Sequence, residues 1–323
     1  MKKIAVLTSG GDSPGMNTAI RAVVRAAYYH KLEVLGVLRG YQGLIDGNLR
    51  PLGPRDVGGI INRGGTILRS ARCKDFYKPD GRARAFETIR THDIEGLVVI
   101  GGDGSYRGAA ALNEEHGVAC IGIPGTIDND IGGTDYTIGY DTALNTALDA
   151  IDRLRDTALS HDRIFFVEVM GRNSGYLAMM SGIAGGAEDI LVPESPTDID
   201  KLVAHLRACH EKEKTSSIVV VAEGDDAGTA LDIARQVEER SEFTNTRVTV
   251  IGHMQRGGSP TAFDRILATR LGIRAVEALL EGEQAKMAGV QGTEVVLEPL
   301  ATAWESRTTF DPAYEKIVDI LST

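Results

Sequence analysis

Short apolar runs alternate with longer amphipathic stretches along nearly the whole chain. The short runs are rich in β-branched residues, and the longer stretches carry apolar residues at helical spacing. This alternation is typical of βαβ units on a parallel sheet, so we predict an α/β fold. The predicted strands are Ile4–Leu7, Val34–Leu38, Leu97–Ile100, Ala119–Ile123, Ile164–Val169, Ile218–Ala222 and Val248–Ile251.

Loops rich in glycine and charge follow six of these seven strands. They read SGGDSPG, GGDGS, PGTIDND, MGRNSG, AEG and GHMQRGG. Because the carboxyl ends of parallel strands meet at one edge of a sheet, where ligands bind in α/β proteins, we expect a binding site there. The segment 281–297 has weak periodicity and is expected to be peripheral.

The length of 323 residues favours two domains over a single core. The amphipathic stretch Thr142–Leu159 is the predicted helix between them, because it follows PGTIDND and precedes a second βα series. The formal net charge of −10 argues against nucleic-acid binding. Three cysteines without a Cys-x-x-Cys pair suggest a reducing cytosol, and neither export nor a membrane span is indicated.

The first loop, TSGGDSPGMN over residues 8–17, lies between a strand and a helix. Glycines there let backbone amides approach a phosphate, and the helix dipole favours negative charge. An ordinary tight turn is the alternative, because the loop contains neither Gly-x-Gly-x-x-Gly nor a Walker lysine.

The second and third loops add carboxylates to glycine. Asp103 of GGDGS suits Mg²⁺ beside phosphate oxygens, or caps the helix expected to start near Tyr106. In PGTIDND, Asp128 and Asp130 supply a base for an attacking hydroxyl and a second polar group, or form a turn. Consecutive parallel strands should place these two loops side by side.

GGDGS, PGTIDND, MGRNSG and GHMQRGG in this order resemble the signature of the phosphofructokinases over essentially the whole chain. The resemblance implies two Rossmann-like three-layer domains with mostly parallel sheets. Residues 1–138 with about 252–302 would form the nucleotide-binding domain, and about 139–251 with 303–323 the sugar-phosphate domain. It further implies transfer of the γ-phosphoryl of MgATP to the 1-hydroxyl of fructose 6-phosphate, giving fructose 1,6-bisphosphate and ADP.

The resemblance also assigns roles to individual residues. Asp128 would be the general base, assisted by Thr126, Asp130, Arg172, Gly11 and Arg72. The nucleotide would meet Gly11, Arg72, Cys73, Gly102, Asp103, Gly104 and Ser105, with Asp103 on Mg²⁺. The sugar phosphate would meet Thr126, Ile127, Asp128, Arg163, Met170, Gly171, Arg172, Glu223, Arg247, His253, Met254, Gln255 and Arg256. Taken singly, each of these arginines could instead be a surface charge.

Assembly and regulation are implied in the same way. The relatives are homotetramers in which residues matching Arg163 and Arg247 reach a neighbouring subunit. An effector site for ADP and the inhibitor phosphoenolpyruvate would use Arg21, Arg25, Arg155, Gly186, Glu188, Lys212 and Lys214. The loop at Pro54 and Arg55, followed by Gly58 and Gly59, departs from the pattern of bacterial relatives and leaves the sign of regulation open.

The phosphoryl donor is indicated by two glycines. Pyrophosphate-dependent relatives typically carry Asp where this chain has Gly104 and Lys where it has Gly125, so both positions favour ATP over pyrophosphate. Two alternative hypotheses for the function are another GGDG-type kinase, such as an NAD or lipid kinase, and a catalytically silent sensor. The first would lack PGTIDND with GHMQRGG, and the second would have lost the base.

Overall fold

The computed structural model describes residues 1–160, 163–212, 216–243, 245–306, 310–311 and 313–321. By its internal contacts the chain divides into two units. Unit 1 comprises Met1–Ile127, Ile131–Thr142 and the described part of Arg256–Thr308. Unit 2 comprises Asp128–Asp130, Ala143–Gln255 and the described part of Thr309–Thr323.

All seven predicted strands are present, with ends that differ by at most a few residues. The strands are β1 (Lys3–Thr8), β2 (Glu33–Val37), β3 (Leu49–Pro51), β4 (Gly96–Gly101), β5 (Cys120–Thr126), β6 (Ile138–Gly139), β7 (Ile164–Val169), β8 (Asp189–Leu191), β9 (Ser217–Ala222), β10 (Thr246–Val250), β11 (Lys286–Gln291) and β12 (Glu294–Pro299).

Helices fill most of the intervals between the strands. They are α1 (Met16–Tyr29), α2 (Gly40–Ile45), α3 (Pro79–Thr91), α4 (Asp103–His116), α5 (Tyr140–Leu159), α6 (Tyr176–Gly185), α7 (Ile199–Glu211), α8 (Ala230–Glu239), α9 (Ala262–Leu280), α10 (Thr302–Glu305) and α11 (Ala313–Leu321), with 3-10 turns at Asp75–Tyr77 and Gly252–Arg256. The predicted helix at 142–159 is α5. Among the described residues, no helix combines the length and apolarity needed to cross a membrane.

Unit 1 is built on one sheet of eight strands, ordered β12-β11-β5-β4-β1-β2-β3, with β6 beside β5. The pairs β1–β2, β1–β4, β4–β5, β5–β6 and β5–β11 are parallel, whereas β3 and β12 pair antiparallel at the edges. Alternate residues of a strand face opposite sides of the sheet. In β1, Ile4 and Val6 therefore pack with α1 and α9, while Ala5 and Leu7 pack with α2, α3 and α4.

Unit 2 repeats this three-layer arrangement on a parallel sheet of four strands, ordered β10-β7-β9-β8. Phe165 and Val167 of β7 pack with α5 and α6 on one face. Phe166 packs with α7 and α8 on the other face. The predicted α/β class with Rossmann-like three-layer sheets is thus confirmed in both units.

Two details of the prediction were wrong. The segment 281–297 is not peripheral, because β11 lies inside the sheet between β5 and β12, and its Met287 and Ala288 are fully buried. Its apolar run is interrupted by Gly289, where a Cβ would lie 2.9 Å from the carbonyl oxygen of Gly133. Close packing therefore requires glycine at position 289, and this glycine interrupts the apolar pattern that would indicate a strand. Helix α4 begins at Asp103 and not near Tyr106.

Candidate active site

The first glycine loop of unit 1 is fixed by the segment that follows β3. Gly10 and Gly15 take left-handed φ angles of 85° and 105°, which favour glycine. Asn17 donates to the carbonyl oxygens of Arg63 and Gly64 at 3.0 and 3.1 Å. Ser70 Oγ donates to the Gly10 carbonyl oxygen at 2.8 Å. The chain leading to Arg72 and Cys73 therefore runs beside this loop.

Arg256 lies over Gly11 of the first loop. A Cβ at Gly11 would come within 2.0 Å of Arg256 Nη1 and 2.9 Å of its Cζ, so no side chain fits there while the guanidinium keeps this place. Arg256 Nε is buried without a hydrogen-bond partner among the described residues. The family resemblance implies that Gly11 meets the donor and Arg256 the sugar phosphate. The structure brings them together, placing a cation where the loop would hold an anion.

The second loop touches the first. The Ser9 amide donates to the Ile100 carbonyl oxygen at 2.9 Å. A Cβ at Gly101 would lie 2.6 Å from both Ser9 O and Ser105 Oγ, so this contact requires glycine. Gly102 is the extended N-cap of α4, which places Asp103 in the first helical turn, where the dipole favours a negative charge. Asp103 is therefore not the N-cap residue that the alternative reading assumed.

The third loop lies beside the second, as predicted. In the ladder between β4 and β5, Gly101 is opposite Pro124, and a Cβ at Gly102 would lie 3.9 Å from Thr126 Cβ. Thr137 Oγ1 donates to the Thr126 carbonyl oxygen at 2.7 Å, which fixes the end of β5. The two loops therefore form one edge of unit 1 as far as Ile127.

Two glycine positions at this edge differ in the space around them. A Cβ at Gly104 would meet no described atom within 4 Å. A Cβ at Gly125 would lie 3.1 Å from both Ile100 Cγ2 and Met16 Cε. Gly104 can therefore accept a side chain, whereas Gly125 can accept one only if its apolar neighbours move.

In unit 2, residues from three separate segments meet at the carboxyl edge of the sheet. The Met170 amide donates to Gln255 Oε1 at 2.9 Å, and the Arg172 amide donates to Glu223 Oε1 at 2.8 Å. Gly171 has φ 153°, and a Cβ there would lie 2.3 Å from Ser174 O. The predicted residues Met170, Gly171, Arg172, Glu223 and Gln255 are thus neighbours.

Asp128 joins this cluster through the backbone. Its carbonyl oxygen accepts a hydrogen bond from Ser174 Oγ at 3.2 Å, and the residue is only 6% exposed. Asp130 is half-buried, while His253 and Met254 of the turn after β10 are exposed. A buried carboxylate beside a loop with a left-handed arginine, Arg172 at φ 54°, suits a base that water does not reach freely.

Arg163 and Arg247 do not join the cluster. Arg163 directly precedes β7, and Arg247 is opposite Phe165 near the start of β7. Met170 follows the other end of that strand, ~23 Å away for seven extended residues. Arg163 Nε is buried without a hydrogen-bond partner in the described part of the chain. Both arginines therefore lie at the amino edge of this sheet.

Three of the predicted effector residues form a group in unit 2. Arg155 Nη2 donates to the carbonyl oxygens of Gly185 and Gly186 at 2.6 and 2.5 Å, and its Nη1 is 3.8 Å from Glu188 Oε1. Glu188 accepts a hydrogen bond from the Ile218 amide at 2.6 Å.

The remaining effector residues are distributed over both units. Lys212 follows α7 as its exposed C-cap, and Lys214 lies outside the described residues. In unit 1, Arg21 and Arg25 lie one turn apart on α1, where burial and then the charge of Arg25 lower the pKa of Arg21. Arg55, beside the departing Pro54, is exposed.

Asp264, a fully buried carboxylate near the start of α9, was not predicted from the sequence. Burial raises its pKa to about 6 despite hydrogen bonds from Thr142 and Gly139, which lower it. The spacing Thr261-x-x-Asp264 was the available signal, because it is typical of a helix start. Among the described residues there is no cluster of three His, Cys, Asp or Glu side chains for a metal.

The chain is similar to known proteins over most of its length. A family model described as Phosphofructokinase matches residues 3–279. The chain is 55% identical over 311 residues to the ATP-dependent 6-phosphofructokinase of Bacillus cytotoxicus, covering 96% of each chain. The structure of phosphofructokinase from Saccharomyces cerevisiae matches with a TM-score of 0.88 and 36% identity.

The yeast match covers 99% of this chain and 47% of that chain, so this chain spans about half the length of the yeast one. The structure of a pyrophosphate-dependent phosphofructokinase from Marinobacter aquaeolei matches with a TM-score of 0.85 and 25% identity, covering 97% of this chain and 86% of that one. Because the family model and the Bacillus relative each span most of the sequence, this chain belongs to the phosphofructokinase family.

Proposed function

We propose that the protein is an ATP-dependent 6-phosphofructokinase. It transfers the γ-phosphoryl of MgATP to the 1-hydroxyl of fructose 6-phosphate, giving fructose 1,6-bisphosphate and ADP in glycolysis, in the cytoplasm. The observation that carries the proposal is the edge of unit 1. There, three glycine loops lie in contact and the guanidinium of Arg256 lies on Gly11. Such an edge offers backbone amides and positive charge to a polyphosphate.

The nucleotide is assigned to unit 1. Gly11, Gly102, Gly104 and Ser105 would present backbone to the phosphates, and Arg72 and Cys73 would line the same side. One carboxylate in the first turn of a helix, Asp103, fits Mg²⁺, which binds phosphate oxygens and keeps several of its waters. The ion would neutralise charge on the transferred phosphoryl group.

The sugar phosphate is assigned mainly to unit 2. Thr126 and Ile127 at the end of β5 lead into Asp128, which would take the proton of the 1-hydroxyl as that oxygen attacks phosphorus. Asp130 and the Arg172 guanidinium would orient the reacting groups. Met170, Gly171 and Glu223 would hold the sugar, and His253, Met254, Gln255 and Arg256 would contribute from the turn after β10. Gln255 Nε2, buried without a partner among described residues, is available to donate.

Removal of the proposed base Asp128 should stop phosphoryl transfer and leave the binding of fructose 6-phosphate intact. Asp128→Asn keeps the size of the side chain and removes its ability to accept the proton, so turnover should fall ~10²–10⁴-fold. A coupled assay of kcat with calorimetric binding of fructose 6-phosphate measures both effects. Asp200→Asn, the same change at an exposed position of α7, is the control and should leave kcat unchanged. Full turnover in Asp128→Asn would remove Asp128 as the base.

The donor should be ATP and not pyrophosphate, which turnover with MgATP and with Mg-pyrophosphate tests directly. Gly104 has open space, so Gly104→Asp should fold normally and raise the KM for MgATP by ~10-fold or more through repulsion of the phosphates. Gly104→Ala adds a Cβ without charge and should change the KM little. A wild type that prefers pyrophosphate would contradict the assignment.

The positions of Arg163 and Arg247 support a homotetramer in which they serve a neighbouring subunit's sugar phosphate. Asp128→Asn and Arg247→Ala chains should each be nearly inactive. After mixing, dissociation and reassembly, about a quarter of wild-type activity should return, because half of randomly formed pairs have one intact site of two. If both residues serve the same chain, the mixture stays inactive. Activity that persists in diluted monomers would also contradict the proposal.

An allosteric site between subunits is proposed, to which Arg155, Gly186, Glu188, Lys212 and Lys214 would contribute, as would Arg21 and Arg25. Phosphoenolpyruvate, an anion, would bind the arginines and lysines of this set and inhibit. Saturation curves for fructose 6-phosphate should move to higher concentration when phosphoenolpyruvate is added, and Arg25→Ala should reduce this shift. Curves that phosphoenolpyruvate leaves unmoved would remove the proposed inhibition.

A further inference from the structure

Asp264 accepts three hydrogen bonds although it is fully buried. Its Oδ1 accepts from the Gly139 amide at 2.8 Å. Its Oδ2 accepts from the Thr142 amide at 2.9 Å and from Thr142 Oγ1 at 2.5 Å. No described Lys, Arg or His forms an ion pair with it. The carboxylate is therefore stabilised by hydrogen bonds alone, and it holds the first turn of α5 and the end of β6 together.

The backbone groups that Asp264 binds lie at or just after the C-terminal end of the segment 126–139, which contains Asp128. In β6, Ile138 is opposite Gly125 and Gly139 is opposite Thr126 of β5. Thr137 Oγ1 also donates to the Thr126 carbonyl oxygen at 2.7 Å. The segment 126–139 therefore leaves β5 and returns to it, and Asp128 lies within the segment. Fixing Gly139 fixes the point to which the segment returns.

The first glycine loop meets the same junction. A Cβ at Gly139, where φ is 104°, would lie 2.5 Å from Ser13 Cβ. A Cβ at Gly15, where φ is 105°, would lie 2.6 Å from Ile138 Cγ2 and 3.7 Å from Asp264 Cβ. The loop assigned to the donor and the segment that carries the base thus share one tightly packed contact with Asp264.

A carboxylate suits this place better than an amide would. All three groups that face it are hydrogen-bond donors, and an asparagine would turn its own NH₂ donors toward at least one of them. Burial raises the pKa of Asp264 to about 6, with the charge of nearby Asp141 adding to the rise, so ionisation there has a cost that the hydrogen bonds offset only in part.

We propose that Asp264 is a positioning residue for phosphoryl transfer, whose carboxylate fixes the return point of the segment 126–139 against the first glycine loop. The proposal rests on the proposed function, because it assigns Asp264 to the alignment of Asp128. Misplacement of a reacting group by about 1 Å costs ~10²-fold in rate. Binding of either substrate alone should depend less on that alignment than the reaction does.

Asp264→Asn should therefore lower kcat ~10–100-fold while the KM values for both substrates stay within about 3-fold. Thr142→Val replaces the hydroxyl by a methyl group, which removes the donor to Asp264 and the acceptor of the Thr261 amide, and should lower kcat by a smaller factor. Thr142→Ser restores the hydroxyl and should restore kcat. If Asp264→Asn does not fold, the Thr142 pair makes the same test with a milder change. Unchanged kcat in Asp264→Asn, or equal kcat in Thr142→Val and Thr142→Ser, would overturn the proposal.

Asp232→Asn, at an exposed position, is the control for the loss of a carboxylate at a helix start. Asp232 accepts hydrogen bonds from the backbone amide and hydroxyl of Thr229 at the start of α8, so the same substitution weakens another helix start. It should leave kcat unchanged. A fall in kcat as large as that of Asp264→Asn would reduce Asp264 to a general stability residue and contradict the proposal.

Amide hydrogen exchange separates this proposal from the proposed function. Asp264→Asn should exchange faster than the wild type in segment 126–142, and no faster in β7 or β9. A wild type that fails to phosphorylate fructose 6-phosphate would refute the function, whatever the exchange result. Equal exchange over 126–142 in the two proteins would refute the positioning role, whatever the activity.

Discussion

The parallel pairing of β1, β4 and β5 is the constraint on which the rest of unit 1 depends. Because the three strands run the same way, their glycine loops leave the sheet at one edge. The loops can touch only if the contact points lack side chains, and Gly101 meets this demand between Ser9 and Ser105. The same strands carry apolar residues on both faces of the sheet, so helices must cover both faces. The core and the loops are therefore consequences of one ladder.

The elements that could be predicted from sequence are those with an uninterrupted apolar pattern. Strand β7 is an example, because its residues are buried on both faces and its ends coincide with the predicted ones. Strand β11 was not predicted because Gly289 interrupts its apolar pattern. Glycine is required there because the Gly133 carbonyl oxygen lies so close. The start of α4 was placed too late because Asp103 and Gly104 look like loop residues, although they form its first turn.

The motifs of the candidate site could be predicted from the sequence, but most contacts between their residues could not. The sequence placed the second and third loops together, because consecutive strands are usually neighbours. It gave no reason to expect Arg256 on Gly11, since that contact joins residues far apart in the chain. The predicted strands already placed Arg163 and Arg247 before a strand and Met170 after one, and the pairing of β10 with β7 puts both arginines at the amino edge. Asp264 was overlooked because a helix-start pattern says nothing about what the carboxylate holds.

The different space around Gly104 and Gly125 constrains the order in which a descendant of this chain could change its chemistry. A substitution at Gly104 meets open space and leaves the fold intact. A substitution at Gly125 presses on Ile100 and Met16, which belong to the core beside β1 and β4, so it needs prior repacking of that core. An evolutionary path that alters both positions is therefore expected to pass through the first before the second.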